Sequence, residues 1–323
     1  MAGGILLLAL CTVAALRVGS YPLSFSDIFA ILAGDAGDAM DVRVFFQLRL
    51  PRVVMGLLAG FVFGLTGAVF QLLFHNPLAS PDLIGVSSGA SLGAACMIVL
   101  GAGSSLEIMF GSFVGGMMIL VAVILLVKAS GGRRSETYIL AGIASGALSG
   151  ALIMLLKYMA DSEGELAAIE FWTMGSLSTI TQQKVLAVLV PALVSVLVLL
   201  LLKKEILLLG MGEKTASFMG MNHEHMRMLI LTLCTLATAA VISLTGVISF
   251  VGLIAPHLSY LLLRTRTHGY LAFSEMCGSA LVVLADCFAR SIRGGELPTS
   301  ILTTLCAIPF FIYFLCKRKG AVE

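Results

Sequence analysis

An acidic residue lies inside a mostly apolar segment of the sequence, where a charge has chemical consequences. Asp286 falls within the apolar segment 270–289, and Arg290 follows it four residues later. An ionisable group in apolar surroundings suggests proton or ion coupling, whereas a pair at this spacing stabilises one turn of a helix by itself. We favour the paired interpretation, because we expect no second buried carboxylate to accompany Asp286.

Three other patterns suggest a phosphate-binding or metal-binding site at first sight, but their residue types or spacing do not fit one. The run Gly210–Thr215 resembles a phosphate-binding loop, but Glu213 stands where the glycine before the lysine is required. His223 and His225 are two residues apart, so they do not share a helix face as paired zinc ligands do. The seven cysteines form no C-x-x-C pair. The sequence therefore predicts no catalytic residue, no metal site and no bound cofactor, and any ATP would be used by another chain.

The composition places the chain in a lipid bilayer. Of its 323 residues, 59% are hydrophobic and 12% are charged, and soluble domains carry about twice that charged share. A helix of about 20 apolar residues crosses the hydrocarbon core. Ten apolar segments are predicted to span it: 4–18, 51–73, 83–102, 107–127, 137–159, 185–202, 228–245, 247–263, 270–289 and 298–316. We interpret the first as a span rather than a signal peptide, because no basic residue precedes it.

A polar insert at about 203–227 interrupts these apolar segments, although spanning a membrane requires no such insert. Ten spans place both termini on one side of the membrane. The basic clusters at 203–204 and 317–319 predict that this side is cytoplasmic. We therefore interpret the insert as a docking surface for a cytoplasmic partner, within a single domain that covers residues 1–323.

Four arginines fall on the opposite, outer side of the predicted topology, against the usual charge bias. They are Arg49, Arg52, Arg290 and Arg293. Guanidinium groups suit bidentate capture of carboxylates, so we interpret the four as exposed docking residues for an acidic partner. The alternative is interfacial anchoring, in which the charged heads snorkel to the membrane surface.

Breaks and small residues predict how the helices meet. The segment Asn76-Pro-Leu-Ala-Ser-Pro81 ends a helix at its prolines. Irregular backbone at this depth is tolerated where it lines a cavity, so the segment either lines a cavity or forms a plain tight turn.

Glycines recur at four-residue spacing at positions 56, 60 and 64, at 85, 89 and 93, and at 142, 146 and 150. Such ridges of small residues predict close helix packing in lipid.

An ordered set of motifs, spread over nearly the whole chain, carries a resemblance to one family. The motifs are Leu48-Arg-Leu-Pro-Arg52, Gly67-Ala-Val-Phe-Gln71, Asn76-Pro-Leu-Ala79, Gly85-Val-Ser-Ser-Gly-Ala90, Leu140-Ala-Gly142, Phe171-Trp-x-x-Gly175-Ser176, Gly246-x-Ile-Ser-Phe-Val-Gly-Leu-Ile-Ala-Pro-His257, Leu284-Ala-Asp286 with Ala289-Arg290, and Glu296-Leu-Pro298. Together they resemble the FecCD family, the permease subunits of ABC importers for iron–siderophore complexes, haem and vitamin B12. Tyr260 departs from the family pattern, which usually has an arginine there.

The resemblance implies an all-α integral membrane protein with about ten transmembrane helices in a compact bundle and short cytoplasmic coupling helices. It implies a second permease subunit, identical or paralogous, two cytoplasmic ATPase subunits that use the ATP, and an extracytoplasmic substrate-binding protein. The expected location is the bacterial cytoplasmic membrane, with both termini cytoplasmic, lipid contacts and no nucleic-acid partner. The expected cargo is an iron–siderophore complex or a similar bulky metal chelate such as haem or cobalamin.

The resemblance also assigns roles to residues. The binding protein would dock on Arg49, Arg52 and Arg290, with Arg293 on the same side. The cytoplasmic gate maps to Asn76, Leu78 and Ser135. The ATPase would contact Thr215, Ala216, Ser217, Phe218, Met219, Gly220, Met221 and Asn222. The main alternative is an ion-coupled secondary transporter that uses Asp286 and needs neither the insert nor the outer arginines; a channel is a third option.

Overall fold

The structure is a computed structural model, and it describes residues 2–19, 21–35, 38–101, 103–131, 135–161, 164–292 and 296–319. All regular secondary structure in these ranges is helical. The α-helices are α1 Ala2–Arg17, α2 Phe25–Ala33, α3 Ala39–Arg43, α4 Leu50–Leu73, α5 Val86–Val99, α6 Ser105–Ala129, α7 Ser135–Met159, α8 Glu165–Thr173, α9 Gln182–Leu201, α10 Lys203–Gly210, α11 Glu213–Phe218, α12 His223–Thr245, α13 Val251–Leu263, α14 His268–Ser291 and α15 Thr299–Lys319. A π-helical segment, Val44–Arg49, joins α3 to α4, and a 3₁₀ turn, Pro81–Ile84, precedes α5.

The predicted membrane spans correspond to helices. Six helical stretches of the described chain are long and apolar enough to cross a bilayer: Ala39–Leu73, Ser105–Ala129, Glu136–Met159, Gln182–Leu201, His223–Thr245 and His268–Ser291. Four shorter apolar helices accompany them: Gly3–Arg17, Val86–Val99, Val251–Leu263 and Thr299–Ile312. The total is compatible with the predicted ten spans.

Helix α4 lies at the centre of the bundle. Every residue from Val62 to Leu73 is buried, as expected for a helix that is apolar on all of its faces. Its neighbours include α14, α13, α12 and α10. The first residues of α4 meet the end of α14, and its last residues meet α10, so these contacts define two ends of the bundle. We call them the arginine end, which holds Arg49, Arg52 and Arg290, and the insert end, which holds α10 and α11.

Glycines set the distance between α4 and α14. A Cβ atom added at Gly60 would lie 2.2 Å from the carbonyl oxygen of Gly278, and one added at Gly278 would lie 2.1 Å from that of Gly60. The Ser279 hydroxyl also donates a 2.9 Å hydrogen bond to the Leu57 carbonyl across this contact. The predicted close packing is confirmed here, and it recurs between α5 and α6, where Gly89 and Gly115 meet reciprocally.

The third predicted glycine ridge, on α7, is used only in part. At Gly142, an added Cβ would lie 2.2 Å from the carbonyl oxygen of Leu83 in the 3₁₀ turn. At Gly146 the nearest contact is 3.6 Å away, and at Gly150 nothing lies within 4 Å. Helix α7 therefore touches the 3₁₀ turn closely at one level and leaves the rest of this ridge open.

The chain between α12 and α13 is not helical. Gly246 and Phe250 both have a positive φ, of 66° and 67°, and a Cβ at Gly246 would lie 2.3 Å from the Trp172 carbonyl oxygen. The Ser176 amide donates to the Thr245 carbonyl over 2.8 Å. The motif that includes Trp172 and Ser176 thus packs against the motif that begins at Gly246, at the arginine end. Helix α13 then begins beside α4, because a Cβ added at Gly67 would lie 1.8 Å from the Gly252 oxygen.

We expect Gly60→Ala to destabilise the fold, because the added methyl group would force α4 and α14 apart. Overpacking typically costs about 1–3 kcal/mol, and the contact with backbone places this case at the upper end. The measurement is the thermal unfolding midpoint of the purified protein in detergent. Gly150→Ala is the matched control, since nothing lies within 4 Å of its added Cβ. Equal midpoints for the two variants would contradict the packing argument.

Candidate functional sites at the two ends of the bundle

Asp286 lies between two arginines at the arginine end. Arg52 Nε donates to Asp286 Oδ1 over 2.9 Å, and Arg52 Nη2 is 2.9 Å from the same oxygen. Arg290 Nε lies 3.0 Å from Asp286 Oδ2. Arg52 Nη1 also donates to Glu296 Oε2 over 2.8 Å. The predicted i, i+4 pair of Asp286 and Arg290 is therefore confirmed, and it belongs to a network that joins α4 to α14.

Arg49 and Arg290 also hold the end of α1. Arg49 Nη1 donates to the carbonyl oxygens of Leu16 and Arg17 over 2.6 and 2.5 Å. Arg290 donates to the carbonyl of Val18 over 2.9 Å and to that of Ala15 over 3.3 Å. The last carbonyls of a helix have no partner within it, and cations at that end also interact favourably with the helix dipole. The two arginines thus fasten α1 to α4 and α14.

The expectation that these arginines are exposed is wrong. Arg49, Arg52 and Arg290 are only 4%, 8% and 6% exposed, because carbonyl groups and carboxylates from distant parts of the chain surround their guanidinium groups. All three nevertheless line a cavity of about 250 Å³ that also includes Tyr21 and Glu296. Docking of an acidic partner through this cavity stays a prediction. The fourth predicted docking residue, Arg293, lies outside the described residues.

A second acidic residue is buried in α14, which corrects the expectation that none accompanies Asp286. Glu275 is 6% exposed and lies eleven residues before Asp286. It is buried because α14 approaches α4 here, so closely that a Cβ on Gly64 would lie 3.1 Å from the Glu275 Cα. Among the described residues no group of three or more histidine, cysteine or acidic side chains could hold a metal ion.

A hydrogen-bonded chain that sequence reasoning missed ties three central helices together. Tyr270 is fully buried in α14, and its hydroxyl donates to Gln71 Oε1 of α4 over 3.1 Å. Gln71 Nε2 in turn donates to the Leu253 carbonyl of α13 over 3.3 Å. A glutamine in an otherwise apolar helix was the signal available in the sequence, but its partners lie 182 and 199 residues away in the chain.

The insert forms two short helices, and its surface that faces away from the bundle is exposed. Phe218 and Met219 are 90% and 69% exposed, whereas Ala216 is completely buried against the bundle. The remaining predicted contact residues occupy the same small unit, with Thr215 and Ser217 in α11 and Gly220, Met221 and Asn222 leading into α12. Exposed apolar side chains on a segment outside the spans are typical of a contact surface.

Glu213 and Arg227 join α11 to α12. Arg227 is 2% exposed, and its guanidinium donates to Glu213 Oε1 in an ion pair. Burial raises the pKa of Glu213, but the hydrogen bond and charge of Arg227, together with His223 and His75, outweigh that effect and hold the pKa below its ordinary value. On its other side, Arg227 lies 6.0 Å from the ring centroid of Tyr138 in α7. Sequence reasoning included Arg227 in the insert but had no means to find these partners.

The predicted gate residues lie at the insert end. Asn76 Oδ1 accepts a 2.9 Å hydrogen bond from the Leu78 amide, so the side chain closes a tight turn. Leu78 is 53% exposed, although it is apolar. Ser135 is the first residue of α7. The structure therefore brings the three gate residues to the same end as the insert.

Fold and sites together define a multi-pass, all-helical membrane protein whose two ends carry different polar structures. A profile of the FecCD transport family matches residues 7–317. The chain belongs to that family.

Named relatives agree with this membership over the full length of the chain. The molybdate import system permease protein MolB of Haemophilus influenzae is 36% identical, over 98% of this chain and 96% of that protein. The ferric enterobactin transport system permease protein FepG of Escherichia coli is 35% identical, over 98% and 96%. A solved structure of a metal-chelate type ABC transporter in an inward-facing conformation has 34% identity and a TM-score of 0.88, with 98% of each chain covered.

The chain is therefore the membrane-spanning permease subunit of an ABC importer, and it works with other subunits, among which a separate ATPase hydrolyses ATP. It is not itself an enzyme. The alternative of an ion-coupled secondary transporter is not supported, because the relatives are ABC permeases and Asp286 is held between two guanidinium groups.

We expect Asp286→Asn to destabilise the protein, because Arg52 and Arg290 would then face each other without the carboxylate between them. Breaking a buried pair by removing one partner costs about 3–5 kcal/mol. Thermal unfolding in detergent and the level of protein in the membrane measure the effect. Asp35→Asn, an exposed acid at the same end, is the control. An Asp286→Asn variant as stable as the control would show that the network does not hold the helices together.

Proposed function

We propose that the permease imports an iron–siderophore complex or a similar bulky metal chelate, such as haem or cobalamin. The observation that carries this proposal is the likeness over 98% of the chain to a metal-chelate type transporter. The relative named for ferric enterobactin transport supports it at 35% identity. The chain binds no cofactor of its own in this proposal, and ATP is used by the partner subunits.

A second candidate cargo is molybdate. The relative named for molybdate import is 36% identical over the same share of the chain, so identity alone does not separate a small oxyanion from a bulky chelate. In either case a binding protein delivers the cargo to the permease. One uptake assay that contains this binding protein can therefore distinguish the two candidates.

The assay for cargo is uptake by proteoliposomes that contain the permease, its ATPase and its binding protein, with ferric enterobactin and molybdate as the two probes. We expect ATP-dependent accumulation of the iron chelate and none of molybdate. Molybdate uptake alone would support the second candidate, and uptake of neither probe, nor of haem or cobalamin in the same assay, would refute both. Omission of ATP is the control for each probe.

In the proposed assembly, the insert end faces the cytoplasm and both termini lie on that side. The basic clusters at 203–204 and 317–319 support this orientation. Helices α1 and α15 support it too, because α1 finishes and α15 begins at the arginine end, so their other ends point towards the insert end. Two ATPase subunits dock at this end of the assembly, one of them on residues 215–222 of this chain, where Phe218 and Met219 offer exposed apolar contacts.

A second permease subunit, identical or paralogous, completes the pathway. Exposed apolar residues on α7 support such a contact; they are Leu140, Ile143, Leu148, Leu152 and Met154. On the other faces of the bundle, lipid covers the apolar side chains. The gate at Asn76, Leu78 and Ser135 closes the cytoplasmic end of the pathway, and the exposed Leu78 side chain fits that position.

The substrate-binding protein docks at the arginine end in this proposal. Arg49, Arg52 and Arg290 line the cavity there, and an acidic side chain of the partner would compete with Glu296 for Arg52. Charge complementarity of this kind sets orientation and association rate more than affinity. Arg293 belongs to the same proposed surface by its place in the sequence.

We expect Glu296→Gln to tighten docking of the binding protein, because it frees one side of the Arg52 guanidinium. The pair with the half-exposed Glu296 is worth about 0–1 kcal/mol, so affinity should rise by up to about fivefold. The measurement is binding-protein affinity for proteoliposomes, and the gain should shrink as salt screens the charges. Asp35→Asn controls for the loss of one negative charge at this end. Equal effects of the two variants would place the docking contacts away from Arg52.

A further inference from the structure

Arg227 is the point at which the insert and helix α7 meet. It lies in the first turns of α12, and its side chain is almost completely buried. One neighbour is the Glu213 carboxylate at the start of α11, with which it forms an ion pair. Another is the ring of Tyr138 in the first turn of α7, with 6.0 Å between the guanidinium carbon and the ring centroid. A single side chain thus contacts the proposed ATPase-docking unit and the helix that begins at the proposed gate.

Helix α11 is attached to α12 firmly enough to act on Arg227. Ala216 is completely buried, and the Met221 amide donates to its carbonyl over 3.1 Å. Ser217 Oγ and His223 Nδ1 are 2.9 Å apart. A force applied to α11 therefore reaches the buried guanidinium, because moving Glu213 away would break the ion pair between them.

Arg227 also borders a groove among the described residues. A groove of about 460 Å³ lies between the end of α6 and the starts of α7 and α12, and both Tyr138 and Arg227 line it. The other residues that line the groove include Lys128, Asn222 and Glu224. Among the described residues, the first turn of α7 therefore borders this groove on the side that faces α12.

Helix α7 is joined just as closely to the gate segment. One turn after Tyr138, Gly142 brings the α7 backbone against the 3₁₀ turn, where an added Cβ would lie 2.2 Å from the Leu83 oxygen and 2.6 Å from the Ile84 Cα. That 3₁₀ turn directly follows the segment with Asn76 and Leu78. Backbone in such close contact cannot slide freely, so α7 and the gate segment must shift together.

We propose that Arg227 is a positioning residue that transmits the displacement of α11 through Tyr138 to α7, and from there to the gate at Asn76 and Leu78. The proposal rests on the proposed function, in which the ATPase docks on the insert. It adds the route from the docking surface to the pathway, with α7 as the moving element. The contact between Arg227 and Tyr138 is a cation–π contact, which depends on an aromatic ring and not on apolar volume alone.

The test measures gate movement without knowledge of the cargo. Leu78→Cys is introduced in a background in which Cys306 and Cys316 are serine, and the permease is reconstituted with its ATPase. A membrane-impermeant maleimide then labels the cysteine in the nucleotide-free and the vanadate-trapped states. We expect the labelling rate in this parent to differ by about tenfold or more between the states, as a large population shift requires. Equal labelling in the parent would overturn both the gate and the route.

Three variants of the parent test the route itself. Tyr138→Leu and Glu213→Gln should each abolish most of the difference in labelling while the ATPase still docks and hydrolyses ATP. Tyr138→Phe should keep the difference, because it keeps the ring. The double variant Glu213→Gln with Tyr138→Leu should be no worse than either single variant, since both act on one path. Independent effects that multiply, or a leucine variant as good as the phenylalanine variant, would overturn the proposal.

A separate variant distinguishes failure of this proposal from failure of the proposed function. Phe218→Glu with Met219→Glu alters only exposed side chains and should abolish ATPase docking. Phe29→Glu, a similarly exposed apolar residue at the arginine end, is its matched control. Normal docking of the Phe218 and Met219 variant would remove the ATPase from the insert. Lost docking there, together with parental labelling in Tyr138→Leu and Glu213→Gln, would refute the route alone.

Discussion

The approach of α4 and α14 to backbone contact is the constraint on which the rest of the bundle depends. In lipid, two apolar helices gain no hydrophobic free energy by leaving their surroundings for each other, so van der Waals contact and hydrogen bonds must hold them. Gly60 and Gly278 permit that contact by presenting bare backbone to each other. Because α4 also touches α13, α12 and α10, its position relative to α14 determines where the other central helices lie.

The same approach makes a buried ion network possible. With the two backbones this close, Arg52 of α4 reaches Asp286 of α14 directly. Charges in a desolvated site are tolerated only when they are paired and hydrogen-bonded, and here carboxylates and helix-end carbonyls supply the partners. The arginine end is consequently rigid and charged, whereas the insert end combines an exposed apolar surface with an open groove. The two ends of the bundle therefore differ physically, since paired charges hold one end together and the other presents exposed apolar side chains.

Hydropathy predicted the spans well because it is a local property of the chain. The segment 51–73 corresponds to α4, Leu50–Leu73, and 107–127 to α6, Ser105–Ala129. The segment 83–102 started too early, since the 3₁₀ turn occupies its first residues. Burial of the arginines was not predictable, because the partners of Arg290 at Ala15 and Val18 are some 270 residues away. Contacts of that kind depend on the packed fold, and no spacing in the sequence reveals them.

The bonds between Arg290 and α1 also bear on how the chain is assembled during synthesis. The carbonyl oxygens of Ala15 and Val18 leave the ribosome 275 and 272 residues ahead of the arginine that binds them. Until α14 has been inserted, the last turn of α1 must satisfy those oxygens with water or lipid headgroups, because hydrocarbon offers no donors. Arg49 can therefore bind the end of α1 early in synthesis, whereas the bonds to Arg290 form only once α14 is in place.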